Sequence, residues 1–337
     1  MQAIFDLYHW EVTHFNTIHQ GLINQSFEIQ TKDGGSFILQ TINHQIFKNP
    51  ESIDYNINSI SRYLSQNYPD YCFTHLVPNA KGESLTKFEN RFYRAFKKIN
   101  GHAFNVIERP DQADAAAKAF GKFTAILNDF DTPSLKITLP HFHDLTLRAA
   151  QFKEALIKGD SHRLAQSKEA IAYLQDQNKL VAQYQYFISS KESRQRVTHH
   201  DTKISNVLFN KKDEAICVID LDTVMPGYYI SDVGDMCRTY LCPVSEEESD
   251  LNLVRTEKSR WEALQKGYVS AMQSTLSNFE LDHFVYAGQF MIYMQAIRFL
   301  SDHLNKDVYY GAKYDGQNYV RAINQIELLK RYNEMIH

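Results

Sequence analysis

The chain has 337 residues, a length that predicts two domains or a two-lobed fold. Its hydrophobic share of 43% and charged share of 23% exclude collagen-like, low-complexity and disordered proteins. The 36 Lys and Arg residues against 40 Asp and Glu give a formal net charge of -4, so no net basic field favours nucleic acid as a partner.

The cysteines and the apolar pattern bear on the cellular compartment. Cys72, Cys217, Cys237 and Cys242 form no Cys-x-x-Cys motif, so we expect no disulfide framework and no structural zinc site. The N-terminal MQAIFDLYHWEV lacks the basic region and apolar core of a secretory signal, and no run of about 18 uncharged apolar residues predicts a membrane helix. We therefore expect a cytoplasmic protein, monomeric or homodimeric, without a membrane or nucleic-acid partner.

The first hundred residues have the pattern of a small sheet with one helix. Residues 26–31 and 36–40 are predicted strands, joined by a Lys-Asp-Gly-Gly turn. A helix is predicted from Pro50, because apolar residues recur after it at spacings of four and three. A further strand pair is predicted at 72–77 and 91–97.

From about residue 100 the pattern becomes helical. A helix is predicted from Pro110, and longer helices at 161–188, 257–272, 281–304 and 319–332. Two short predicted strands, 207–209 and 215–220, interrupt this region and are separated by a polar turn.

Chemistry-bearing residues are concentrated in two pieces that flank this hairpin. Asp201 lies before the first strand, Asn206 lies at its start, and Asp220 follows the returning strand. We therefore expect three oxygen-bearing side chains at one end of a β-ribbon, with Asp222 on the same face as Asp220 because strands have a period of two. Oxygen ligands without a thiolate cluster are typical of Mg2+ sites. The alternative is a polar hairpin with solvated carboxylates.

The two pieces, HHDTKISN and VIDLD, resemble the catalytic loop and metal-binding Asp of protein-kinase-like small-molecule kinases, the aminoglycoside phosphotransferase and choline kinase superfamily. Further segments are similar, in order, to bacterial N-acetylhexosamine 1-kinases: GLINQSFEI, FILQTIN, FKNPESIDYNI, AFGKFTAILNDF, LPHFHD, VIDLDTVMPG, SDVGDMCR and IRFLSDHLNKDVYYG. The resemblance implies an α+β, protein-kinase-like, two-lobed fold. Residues 1–98 would form a small antiparallel-sheet lobe that binds nucleotide. Residues 99–337 would form a larger, mostly helical lobe for catalysis and acceptor binding.

The resemblance also assigns catalytic roles. Asp201 would hold the acceptor hydroxyl and take its proton, and His199 would support the loop that carries Asp201. Lys203 would face the transferred phosphoryl group. Such groups act by positioning and charge neutralisation rather than by covalent chemistry.

The implied cofactors are ATP and Mg2+. Asn206 and Asp220 would hold Mg2+ against the nucleotide phosphates, and Asp222 would be a further contact to metal or substrate. ATP would lie between the lobes, with the backbone at 94–98 as the hinge that contacts adenine. Asp235 is expected to be structural and to hold the loop around Asp201 by hydrogen bonds.

The nucleotide-binding residues depart from the family pattern in their glycine content. Gly21 is the sole glycine of the segment HQGLINQS, so a glycine-rich phosphate loop is weakly represented. Asn24 and Ser26 are the predicted donors to phosphate.

The lysine that many superfamily members carry on the following strand is replaced. Gln40 stands in its place, and Asn56 stands about where the partner Glu is expected, so a neutral pair would replace a charged one. Compensation for the missing charge is expected from Lys203, Mg2+ or Lys48. The alternative is a pseudokinase that binds nucleotide without transferring phosphate.

The acceptor site is predicted from one charged residue in an apolar helix. Arg298 is the charged residue of the stretch FVYAGQFMIYMQAIRFL, and it either lines the sugar or phosphate site or pairs with a carboxylate such as Asp232, Asp235 or Asp302. Arg238, close in sequence to the hairpin, is a second candidate for substrate binding.

The implied reaction moves the γ-phosphoryl group of ATP to the anomeric hydroxyl of an N-acetylhexosamine. Tyr309 and Tyr310 are candidates for stacking on the sugar ring, with core packing as the alternative reading. Alternative acceptors are an amino alcohol, an aminoglycoside or another sugar. A metal-dependent hydrolase is the remaining alternative.

Overall fold

The computed structural model describes residues 1–18 and 23–337, and it confirms an α+β chain with an N-terminal antiparallel sheet and a mostly helical remainder. The strands are β1 Val12–Ile18, β2 Gln25–Thr31, β3 Ser36–Ile42, β4 Leu76–Val77, β5 Leu85–Phe88, β6 Arg91–Lys97, β7 Arg196–Thr198, β8 Val207–Phe209, β9 Ala215–Val218 and β10 Met225–Gly227. The helices are α1 Gln2–Leu7, α2 Pro50–Asn67, α3 Pro110–Ile126, α4 Leu145–Lys158, α5 Ser161–Gln166, α6 Lys168–Asp176, α7 Lys179–Ser189, α8 Tyr229–Tyr240, α9 Lys258–Met272, α10 Asn278–Asp282, α11 Phe284–Leu304 and α12 Gln317–Ile336. Among the described residues, no helix has both the length and the apolar character needed to cross a bilayer.

The chain divides into two compact units. The first unit contains residues 1–102, 129–140 and 208–226, and the second contains 103–128, 141–207 and 227–337. The first segment of the first unit therefore ends close to the predicted boundary at residue 98. The first unit also contains the later segments 129–140 and 208–226, whereas the prediction divided the sequence at one point.

The sheet of the first unit runs in the order β1-β2-β3-β6-β4, with β5 also paired to β6. The predicted hairpin between β2 and β3 is confirmed, and Gly34 supplies the left-handed backbone of its turn at φ 86°. The register places Gln40 opposite Ser26 on one side and opposite Arg94 on the other. Three polar side chains thus form a row across the sheet.

The third strand pair differs from the prediction. Within 72–77 only Leu76–Val77 is a strand, and the longer partner of β6 on that side is β5, which the sequence analysis missed. The Asn79 side chain explains the tight turn before β5, because its Oδ1 accepts hydrogen bonds from the backbone amides of Lys81 and Glu83.

Helix α2 begins where the sequence predicts. The Asn49 side chain caps it by accepting a hydrogen bond from the Ser52 amide, and Pro50 occupies the first turn, where its missing N–H costs nothing. The predicted apolar stripe is buried, and it consists of Ile53, Ile57, Ile60 and Leu64.

The hairpin of β8 and β9 is shorter than expected. Strand β9 ends at Val218 rather than at residue 220, and Leu221–Thr223 form a single 3-10 turn. The expectation that Asp220 and Asp222 share a strand face is therefore wrong. Asp220 has left-handed backbone at φ 61° and is exposed, whereas Asp222 is 1% exposed.

In the second unit, α11 packs against α4, α8 and α12, and α3 packs along α9. Nearly every residue of α11 is buried, which explains its continuous apolar sequence. The predicted single helix at 161–188 is divided into α5, α6 and α7, and α4 was missed. The region predicted as one helix at 281–304 contains α10 and α11.

Candidate functional site

The segment from His199 to Asn206 is a loop that helix α8 anchors. The carboxylate of Asp232 accepts hydrogen bonds from the backbone amides of His199 (3.1 Å) and His200 (2.7 Å). The carboxylate of Asp235 accepts one from the Thr202 amide (2.8 Å), as predicted. Burial raises the pKa of Asp232 to about 7, since few polar groups besides these amides solvate it.

Two histidines shape the loop immediately before Asp201. His199 is fully buried, packs edge-on against Phe120 at 5.1 Å between ring centroids, and accepts a hydrogen bond at Nδ1 from the Asp201 amide (3.3 Å). This contact agrees with the supporting role expected for His199. His200 has left-handed backbone at φ 67°, and its Nδ1 lies 3.1 Å from the Thr198 carbonyl oxygen.

The carboxylate of Asp201 lies between a cation and an amide. The Lys203 Nζ is 3.0 Å from Asp201 Oδ2, and the Asn206 side chain donates hydrogen bonds to Asp201 Oδ2 (3.0 Å) and to its carbonyl oxygen (2.9 Å). Burial opposes ionisation, but the charge of Lys203 and the hydrogen bonds from Lys203 and Asn206 outweigh it and hold the pKa of Asp201 below its ordinary value. Asp201 is therefore a carboxylate at neutral pH, able to accept a proton or a hydrogen bond.

The donor atoms of Asn206 fit a hard divalent cation. Because the amide nitrogen of Asn206 is directed at Asp201, its carbonyl oxygen Oδ1 is the atom left for a ligand. In the first unit, the exposed carboxylate of Asp220 follows β9 on a left-handed backbone that Asp tolerates better than most residues. Carboxylate and amide oxygens are a suitable set for Mg2+.

Asp222 is not positioned as a substrate ligand. Its carboxylate forms a buried ion pair with Arg94 of β6 and accepts a hydrogen bond from Asn24 Nδ2 (2.6 Å). Arg94 is 2% exposed and also donates through Nε to Gln40 Oε1 (3.0 Å). The sequence analysis missed Arg94, although a lone arginine inside the apolar strand FYRAF was a signal for it.

The predicted phosphate donors are engaged in the same network. Asn24 uses its nitrogen for Asp222 and its oxygen for the backbone amide of Asn43 (2.9 Å). Ser26 is buried and accepts a hydrogen bond from Gln40 Nε2 (3.0 Å). These side chains brace one another, so their direct contact with phosphate is not supported. Gly21 lies outside the described residues.

The expected neutral pair of Gln40 and Asn56 does not form. The Asn56 side chain instead bonds three backbone groups, accepting from the Lys136 amide (2.8 Å) and donating to the carbonyl oxygens of Lys136 (2.8 Å) and Val224 (2.9 Å). Gln40 pairs with Arg94. The positive charge missing at position 40 is thus present on the adjacent strand, while Lys48 is exposed.

The predicted hinge at 94–98 lies partly within the sheet. Residues 94–96 of β6 pair with β3 on one side and with β4 or β5 on the other, and Lys97 pairs with Phe37 of β3. The Lys98 amide donates to the Ser36 carbonyl oxygen (2.9 Å). The backbone at 94–96 is therefore already hydrogen-bonded within the sheet, and a contact of residues 97 and 98 with adenine stays a prediction.

Arg298 lines a cavity of about 340 Å³ in the second unit. It is 8% exposed, stacks near the rings of Phe142 and Tyr310 at 5.9 and 5.5 Å, and donates to Gln295. Among the described residues it forms no ion pair with Asp232, Asp235 or Asp302. Tyr309 and Tyr310 line the same cavity, and Tyr309 is 66% exposed.

Arg238, the other candidate for substrate binding, has structural partners. Its guanidinium pairs with Asp235 (2.9 Å) and with Glu246 (2.7 Å), and Glu246 also pairs with Arg321. Because Asp235 holds the Thr202 amide, Arg238 acts on the loop through Asp235 rather than through a ligand.

Comparison with known proteins identifies the family and the fold of the chain. Residues 14–266 match the family model described as the phosphotransferase enzyme family, APH. An amicoumacin kinase in complex with AMP-PNP, Ca2+ and amicoumacin has a TM-score of 0.67 at 15% identity, covering 98% of this chain and 92% of that one. An aminoglycoside phosphotransferase from Alicyclobacillus acidocaldarius has a TM-score of 0.64 at 11% identity, covering 100% and 96%.

A third similar structure is a microcompartment-associated aminopropanol kinase, with a TM-score of 0.62 at 16% identity, covering 99% of this chain and 97% of that one. These likenesses confirm the kinase-like fold that the resemblance implied. The family match spans the loop at 199–206, Asp220 and Asp222 after β9, and most of the chain. The chain therefore belongs to the APH phosphotransferase enzyme family.

Proposed function

We propose that this protein is an ATP-dependent small-molecule kinase that phosphorylates the anomeric hydroxyl of an N-acetylhexosamine. The observation that carries the proposal is the ionised Asp201 between Lys203 and Asn206. A carboxylate so placed orients the acceptor hydroxyl and takes its proton as the oxygen attacks phosphorus. Lys203, 37% exposed, supplies positive charge toward the transferred phosphoryl group.

Nucleotide binding follows from the family and from the residues that suit a metal. Asn206, through Oδ1, and Asp220 would hold Mg2+, which when bound neutralises charge on the nucleotide phosphates. Two of the structural neighbours are complexes with AMP-PNP and with ADP, which supports the use of ATP. Asp232 and Asp235 keep the loop rigid, so that Asp201 is held in place before any ligand arrives.

The pseudokinase alternative is disfavoured by the residues that are retained at the proposed site. Arg94 does not take over the role of the absent strand lysine, because it is 2% exposed and its charge is paired with Asp222, so positive charge toward the phosphates would come from Lys203 and Mg2+. Asp201, Asn206 and Asp220 are all present. A chain that retained only nucleotide binding would not need the proton acceptor.

The choice of a sugar acceptor is supported by the resemblance to N-acetylhexosamine kinases and by the cavity beside Arg298. Tyr309 and Tyr310 offer flat aromatic faces, and Arg298 offers hydrogen-bond donors, to a polar ring. Aminopropanol and ethanolamine kinases have the same fold, which makes an amino alcohol the second candidate. The cationic lining of this cavity argues against a cationic acceptor.

The test is a screen of ADP formation by the purified protein with ATP and Mg2+. The panel contains N-acetylhexosamines, other sugars, amino alcohols, aminoglycosides and a sample without acceptor, and 31P NMR identifies the ester formed. We expect an N-acetylhexosamine 1-phosphate. Asp201→Asn should reduce turnover by orders of magnitude while ATP binding survives, and the exposed Asp176→Asn serves as the matched control.

Other outcomes of the screen would overturn the proposal in defined ways. Phosphate release without acceptor would indicate a hydrolase. Turnover confined to amino alcohols would move the assignment to the second candidate. Near-full activity of Asp201→Asn would show that another group takes the proton.

A further inference from the structure

The cavity beside Arg298 contains a second buried arginine. Arg148 of α4 and Arg298 of α11 both line it, and they are 9% and 8% exposed. Their hydrogen bonds within the described residues go to neutral acceptors: Arg148 to Gln151 Oε1 and the His141 carbonyl oxygen (2.9 Å each), and Arg298 to Gln295 Oε1 (3.2 Å). The Nε–H of Arg148 is buried and has no partner among residues 1–18 and 23–337.

The acidic side chains of the same cavity do not neutralise these arginines. Asp302 accepts hydrogen bonds from the backbone amides of Tyr309 (2.7 Å) and Tyr310 (2.9 Å), and from a side-chain amide. Glu154 pairs with Lys158 (2.7 Å). The cavity wall therefore holds two guanidinium groups that form no ion pair with a carboxylate among the described residues, and Asp144 acts on the charge of Arg148 only weakly and from outside the cavity lining.

The positive charge of the arginines shifts the pKa of nearby groups. Burial lowers the pKa of Arg148, and the charge of Arg298 lowers it further, which indicates that the two guanidinium groups repel each other. Burial, His200 and Arg298 likewise hold the pKa of His143 well below its ordinary value, with Arg148 adding to the effect. His143 is consequently neutral and adds no charge of its own.

We propose that Arg148 and Arg298 form a binding site for an oxyanion, a carboxylate or a phosphate monoester, carried by the acceptor. Buried charges of like sign are costly unless a partner of opposite sign accepts their hydrogen bonds. An anionic group in the cavity would satisfy the free Nε–H of Arg148 and neutralise both guanidinium groups. Tyr309 and Tyr310 would contact the rest of the molecule. The inference rests on the proposed function and narrows its acceptor to hexosamines that carry an acidic substituent.

The experiment measures binding to the full chain without nucleotide, so that it does not depend on phosphate transfer. Isothermal titration compares N-acetylglucosamine, N-acetylglucosamine 6-phosphate, N-acetylmuramic acid and inorganic phosphate near neutral pH. We expect at least one of the acidic sugars to bind about tenfold or more tightly than N-acetylglucosamine, and its affinity to fall as salt is raised.

Two substitutions locate the effect. Arg148→Gln and Arg298→Gln should each weaken binding of the acidic sugar by about tenfold while changing binding of N-acetylglucosamine much less. Lys153→Gln is the matched control, because it removes one positive charge from the same helix at an exposed position outside the cavity. Thermal melting of each variant reports whether it is folded, and the comparison of ligands on the unmodified protein holds even if a variant does not fold.

Each outcome decides the proposal. Equal affinity of the unmodified protein for neutral and acidic sugars would overturn it, as would unchanged binding of the acidic sugar to both folded variants. If inorganic phosphate bound as tightly as the acidic sugars, the site would belong to a free oxyanion and not to the acceptor. Tight, arginine-dependent binding of acidic sugars without any phosphate transfer would support the site while contradicting the proposed kinase activity.

Discussion

Arg94 and Asp222 form a buried ion pair that joins the central sheet of the first unit to the segment following β9. Both side chains are almost completely buried, and each has a further hydrogen bond, Arg94 to Gln40 and Asp222 from Asn24. A pair of this kind costs desolvation energy, so its net contribution to stability is small, but either charge alone would be strongly destabilising. Its effect is to fix the residues that flank Asp220.

The first prediction concerns this pair. Asp222→Asn leaves the Arg94 guanidinium buried without a counter-charge and should lower the free energy of unfolding by about 3–5 kcal/mol. Arg94→Met should cost a similar amount, and the double variant should lose clearly less than the sum of the two. Urea denaturation followed by circular dichroism measures all three. Additive losses would show that the two charges do not interact.

The second prediction concerns the metal. Asp220→Asn keeps a side chain that tolerates left-handed backbone but removes the charge, so the Mg2+ concentration for half-maximal ATP binding should rise by about tenfold or more. Asp213→Asn is a closely matched control, since Asp213 is also left-handed, at φ 58°, and lies in the turn between β8 and β9. An unchanged magnesium dependence in Asp220→Asn would remove Asp220 from the metal site.

The cluster of Asp201, Lys203 and Asn206 was predictable from the sequence because it is local. Asp201, Lys203 and Asn206 lie within six positions of one another, and the structure brings them together through contacts inside a single loop. The spacing around the flanking strands pointed to Asp201 and Asn206, and the resemblance to the kinase catalytic loop added Lys203. The hairpin of β2 and β3 was likewise predictable, because its turn residues act locally.

Residues whose role depends on register were not predictable in the same way. Gln40 and Arg94 are 54 positions apart, and only the pairing of β3 with β6 places them side by side. The surroundings of Asp222 depend on where β9 ends. Because the strand ends at Val218, Asp222 forms a buried ion pair with Arg94 and is not the predicted ligand. Strand ends and long-range register follow from tertiary packing, which a single sequence does not specify.

The third prediction concerns pH and the thiol of Cys72. The neighbouring Cys217 thiol favours the Cys72 thiolate and lowers the pKa of Cys72 to about 7, while the hydrogen bond that the structure gives the Cys217 thiol goes to the Val218 carbonyl oxygen (3.3 Å). The rate of alkylation of Cys72 by iodoacetamide should therefore be half-maximal near pH 7. Cys217→Ala removes the neighbouring thiol, so the pKa of Cys72 should rise toward the ordinary value of about 8.5 and the rate at neutral pH should fall.

Two buried thiols provide the control for that measurement. Cys237 and Cys242 are buried, and burial raises the pKa of each, so both should remain unmodified under the same conditions. Mass spectrometry of peptides assigns the modified residue. A midpoint for Cys72 that does not change in Cys217→Ala would contradict the influence of Cys217 on the pKa of Cys72.

The last prediction concerns Gly227, whose lack of a side chain gives His200 its position. A Cβ at residue 227 would overlap the imidazole of His200 and would lie 3.0 Å from Thr198 Oγ1. Since His200 directly precedes Asp201 in the anchored loop, Gly227→Ala should displace the loop and destabilise the fold by about 1–3 kcal/mol. Turnover should fall more than ATP affinity. In a His200→Ala background the same substitution should cost much less, because the clash is absent. Equal costs in both backgrounds, measured by denaturation, would show that Gly227 is required for another reason.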